Sequence, residues 1–161
     1  MDRTRATRLL VGLLGFAFVV SVVHYTDNYV NYGDYPQSDG VPAPSATVVA
    51  ASWFVFTASG GLGLWMWRRG RITAAAAFLT GYSVSGLIGF AHYAVPGATG
   101  MVWWRQTHVV VDICCGIAVL CFALWAARNR LSPPSPTPPS PGAAPGGGRS
   151  RASADRRPGA S

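Results

Sequence analysis

Residues 103–127 read WWRQTHVVVDICCGIAVLCFALWAA, and the fold turns on how this stretch is taken. At about 1.5 Å per residue, a helix of this length spans a hydrocarbon core of about 30 Å. Arg105, His108, Asp112 and Cys115 recur along it at helical spacing, so one face of an otherwise apolar helix is polar. An ionised carboxylate at the depth of Asp112 costs roughly 2.5–3.5 kcal/mol in lipid, so that face is expected to look into a bundle and to find partners there.

The remainder of the chain supplies the neighbours. Half of the 161 residues are hydrophobic and 12% are charged, about half the charged share of a soluble domain. Apolar runs predict spans over about 9–25, 46–67, 72–95 and 103–127. The fold class expected is all-α: a polytopic membrane protein whose residues 1–130 form a four-transmembrane-helix bundle. Residues 131–161, with PPSPTPPSP, GGG and four arginines, are too poor in apolar surface to fold and predict a disordered cytoplasmic tail.

Charge placement sets the expected topology. All thirteen basic residues are Arg and all six acidic ones are Asp, a pattern of GC-rich bacterial coding. Arg3, Arg5 and Arg8 precede the first run, Arg68, Arg69 and Arg71 separate the second and third, and Arg128 and Arg130 follow the fourth. The positive-inside rule then puts both termini in the cytoplasm, in a bacterial plasma (inner) membrane. The same placement accounts for the net charge of +7 without nucleic acid. A basic start before an apolar run is also how a secretory signal begins, but no small-x-small cleavage site follows, so the first span is read as retained. Residues 26–45 carry Asp27, Asp34 and Asp39 and no Arg, with Tyr29, Tyr32 and Tyr35 suited to a membrane–water interface. Trp65 and Trp67 are expected at the opposite interface. Gly60, Gly61 and Gly63, and the stripe Gly81, Ser85 and Gly89, suit close helix packing within the chain or between copies in a homo-oligomer. The three cysteines, Cys114, Cys115 and Cys121, read as packing residues.

All three histidines fall at one expected depth. His24 ends the first span, His92 the third, and His108 lies one turn inside Trp104 on the fourth. Asp27 and Asn28 share the face of His24 if that helix runs on. Three imidazoles and a carboxylate suit zinc or another divalent metal, giving His24, His92, His108 and Asp112 as expected metal ligands. Asp112 or Asp27 would orient a ligating ring, and with Ser85 these form the expected catalytic set. A metal-bound water would then attack a lipid substrate, so the function expected is a metal-dependent hydrolase working beside the bilayer. In carrying His, Asp and Ser on several spans, the chain resembles the membrane hydrolase superfamily of alkaline ceramidases and progestin and adipoQ receptors, which implies the same hydrolytic chemistry. It departs in having fewer spans, in His108-x-x-x-Asp112 where those proteins pair histidines, and in Ser85 standing seven residues before His92. The alternatives are a structural polar network without enzymatic activity, haem held between two histidines with Gly86 and Gly89 making room, and a His/Asp proton relay.

Overall fold

The computed structural model describes residues 1–37 and 44–129. These form α1 (Arg3–Val30), α2 (Ala46–Arg68), α3 (Ile72–Leu87), α4 (Phe90–Tyr93) and α5 (Trp103–Arg128), with no strand among the described residues. Helices α3 and α4 run on as one segment, Ile72–Tyr93, so four helical segments are long and apolar enough to cross a membrane. The expected tail at 131–161 lies outside the described residues.

Local chemistry fixes the ends. The Asp2 side chain accepts from the Arg5 backbone N–H at 2.8 Å to cap α1, and Ser45 caps α2 through the Val48 N–H. Gly70, at φ 75°, closes α2. Its N–H bonds to the Trp67 carbonyl and that of Arg71 to Met66, the pairing that lets a glycine turn a helix back.

Each long helix packs on two others. Helix α1 lies against α2 and α5, and α3 lies against the same two, so the four close a ring with α1 and α3 on a diagonal. The interior holds Leu10, Leu79, Val119 and Trp67, all almost wholly buried. Trp67 is therefore a core residue. Its ring meets Phe122 edge-on at 5.3 Å, and its indole N–H donates to Thr7 Oγ1 at 2.9 Å, which satisfies the one polar atom that burial would strand.

Backbones come closest between α3 and α5. A Cβ on Gly116 would stand 2.8 Å from the Ser83 carbonyl oxygen, and one on Gly86 would run into the Asp112 carbonyl. The expected stripe on α3 divides among three neighbours. Gly81 faces Ser59 of α2 and Gly89 faces Ile113 of α5, while Ser85 meets Tyr25 of α1.

Two boundaries differ from expectation, and both shape the site. The third span tightens after Leu87, where the N–H groups of Gly89, Ala91 and His92 bond to carbonyls three residues back. Such bonds wind the chain more tightly than an α-helix and re-aim His92. Helix α1 runs past Tyr25 to Val30. His24, Asp27, Asn28 and Asn31 consequently share one helical face.

Candidate functional site

The loop end of the bundle holds a cluster of buried polar side chains centred on two carboxylates. Asp27 is the first. Its Oδ2 accepts from the Tyr35 hydroxyl at 2.6 Å and from Arg105 Nε at 2.9 Å, and its Oδ1 accepts from Asn31 Nδ2 at 2.6 Å. Arg105 is 5% exposed and also reaches Asp34 Oδ2 at 3.2 Å. Its guanidinium lies 4.9 Å from the Tyr35 ring centre and 5.2 Å from that of Trp104. A charged fork between two aromatic faces is held by geometry as well as charge. Burial, then the contact with Asp27, pushes the Tyr35 hydroxyl far above the usual tyrosine range, so it serves as a neutral donor.

Asp112 is the second. Its Oδ2 sits 2.7 Å from His24 Nδ1, and both side chains are nearly solvent-free. A carboxylate at Nδ1 fixes the proton there and leaves Nε2 as the open ring nitrogen. His92 Nε2 lies 3.1 Å from Asn28 Nδ2, so the amide N–H donates to the ring. The rings of His24 and His92 are 5.6 Å apart, and those of His24 and His108 are 5.4 Å apart. His108 Nε2 is 3.3 Å from Asp27 Oδ2, but out of line for a hydrogen bond. Neither ring nitrogen of His108 has a hydrogen-bond partner among the described residues.

Beside this cluster lies a cavity of about 530 Å³ walled by α1, α2, α3, α4 and residues near Tyr35. His24, Asn28 and His92 form one polar wall of it, with Ser85 and Tyr25 nearby; Val49 and Ile88 stand among its apolar walls. Ser85 Oγ donates to the Tyr25 hydroxyl, which in turn donates to the Ser85 carbonyl, each at 3.3 Å. A smaller groove of about 230 Å³ runs between α1 and α2, lined by Val22, Tyr29, Trp53 and Phe54. Tyr25 borders both spaces.

The structure thus brings His24, His92, His108 and Asp112 into one cluster, with Asp27 and Asn28 beside them and Ser85 on the shared cavity. It corrects the cofactor expectation. Among the described residues, no group of three or more His, Cys, Asp or Glu side chains is placed to hold a metal ion, so zinc, another divalent metal and haem iron all drop out. Zinc needs nitrogens about 2.0–2.1 Å from one centre. Here His92 Nε2 is taken by Asn28, and His108 is turned toward Asp27. Residue type and expected depth suggested a metal, but the nitrogens do not converge.

Sequence reading set Arg105 on the polar face of the fourth span without making it a site residue, and passed over Tyr35, Asn31 and Tyr25 as members of the cluster. Arg105 had a signal, being the one arginine away from the span-flanking groups and the tail. Tyr35 had none, because its 3% exposure comes from packing against Val109 and Ile113 of α5. No protein-family model, curated protein or solved structure matches the chain.

Proposed function

We propose that this is an integral membrane protein that binds a neutral lipid-like molecule in the cavity beside His24. The observation that carries the reading is a mostly apolar space of about 530 Å³ with His24, Asn28 and His92 in its lining, within the size range of small-molecule sites. The pairing of the buried carboxylates supports a neutral head group. Asp112 is held by the His24 ring, and Asp27 by Arg105, which also reaches the exposed Asp34. The wall itself offers imidazole, carboxamide and hydroxyl groups, which suit a hydroxyl or a carbonyl. The Asp27 half of the cluster serves as a structural brace; the His24 half meets the ligand.

The orientation proposed has both termini cytoplasmic and the cavity in the outer leaflet of a bacterial plasma membrane. It rests on Arg3, Arg5, Arg8, Arg68, Arg69, Arg71 and Arg128 gathering at the helix ends opposite the cavity.

A dibrominated long-chain alcohol, titrated into the detergent-purified chain, tests the binding reading by quenching tryptophan fluorescence. Saturable quenching is expected, and Val49→Phe, which places a ring in the cavity, should weaken it at least tenfold. Quenching that rises linearly in both proteins, as from simple partition into micelles, defeats the reading.

A further inference from the structure

The pairing of His24 with Asp112 does more than give a buried carboxylate a hydrogen-bond partner. His24 lines the cavity while Asp112 stands behind it, reaching the ring at Nδ1 over 2.7 Å. No hydrogen bond to His24 Nε2 is found among the described residues. A base whose far nitrogen is held by a carboxylate, and whose near nitrogen opens on a ligand space, has the arrangement required for positioned proton transfer. Asn28 adds a donor on the same wall. Its amide carries two N–H groups, of which one is directed at His92 and the second remains for a ligand oxygen.

We propose that His24 acts as a catalytic base on a lipid-like ketone held in this cavity, with Asp112 as its positioning residue. The proposal rests on the cavity-binding reading and deepens it by naming the substrate class. Of the protons on a neutral amphiphile, those on a carbon next to a carbonyl are both carbon-bound and within reach of an imidazole base. His24 Nε2 takes such a proton. The C–H electron pair becomes the carbon–carbon double bond of an enolate, and the carbonyl π pair moves onto oxygen, where the Asn28 N–H meets it. The imidazolium, charge-balanced by Asp112, returns the proton either to the same carbon or, in a β,γ-unsaturated ketone, to the γ carbon. The second outcome moves the double bond into conjugation. Substrate and product are isomers, so no oxidant, reductant or leaving group enters.

Exchange of α-hydrogens of 2-tridecanone in deuterated buffer, followed by mass spectrometry, tests the step with the purified full chain in detergent micelles. Wild-type protein is expected to speed deuteration about 10²-fold or more over protein-free micelles, in line with a positioned base. His24→Gln should return the rate to background. Asp112→Asn keeps the shape of the pair and removes its charge; it should lower kcat tenfold or more while KM holds, a split that mere loosening of the bundle does not produce. Binding of a dibrominated analogue of the same ketone is measured in parallel. Bound ketone without accelerated exchange overturns the catalytic proposal and leaves the binding reading standing, whereas ketone that does not bind removes both. Full activity in folded His24→Gln also overturns the assignment of the base.

Discussion

At the scale of single residues, Asp27 shows what a buried carboxylate requires. Three donors converge on it, and one of them, Arg105, bridges onward to Asp34. Removing the cation leaves Asp27 uncompensated, and losses of about 3–5 kcal/mol follow when one partner of a buried pair is deleted. Arg105→Met is therefore expected to lower stability by about that much in thermal or denaturant unfolding of the detergent-solubilised protein. Adding Asp27→Asn to it should restore part of the loss; strictly additive effects would show that the two side chains do not act as a pair. Tyr35 gives a pH-dependent counterpart. Its hydroxyl titrates higher in the folded chain than when unfolded, so its contribution is whole below the unfolded value of about 10 and fades as pH climbs toward the folded one. The stability difference between wild type and Tyr35→Phe should be flat from pH 6 to 9 and shrink above pH 10. A difference that grows with alkali refutes this reading of the hydroxyl.

Between elements, the crossing of α3 and α5 is set by two glycines whose missing side chains let backbone meet backbone. Gly86→Ala must push Asp112 away, and overpacking of this kind costs about 1–3 kcal/mol. Because Asp112 rides on the displaced strand of contacts, the same variant should also weaken ligand binding at His24. Gly12→Ala, which meets nothing within 4 Å, is the control and should stay within about 0.5 kcal/mol of wild type. Equal stability of the two variants would mean the crossing relaxes freely. The helices themselves were legible in the sequence, since apolar runs and flanking arginines are properties of single segments. The crossing was not. The spacing of Gly81, Ser85 and Gly89 identifies a face but not which neighbour meets each position, and the structure sends the three to different helices. The site was legible to the same depth: the convergence of His24, His92, His108 and Asp112 followed from where each sits along its run. Which ring nitrogen points where depends on rotamers and on the tightened turn after Leu87, and there the metal expectation failed.

For the whole molecule, the ring of four helices makes the two ends of the bundle different. The arginine-flanked end is tied by Arg3 donating to the Trp67 carbonyl at 3.0 Å, and the other end carries the cluster and the cavity. Single cysteines introduced at Gly33 and Gly70, in a background with Cys114, Cys115 and Cys121 replaced by alanine, should react with an impermeant maleimide from opposite sides of sealed vesicles. Labelling of both from one side would show that the bundle does not span. The groove between α1 and α2 adds a last consequence. Tyr29 and Phe54 on its rim are exposed on the outer surface of the helices, while Tyr25 separates it from the space beside His24. Under the proposed lipid-binding function, a molecule passing this phenol would arrive sideways, out of the acyl chains. Its occupancy then follows its mole fraction in the bilayer instead of its concentration in buffer. Two membranes of different composition would load the same protein unequally at one aqueous concentration.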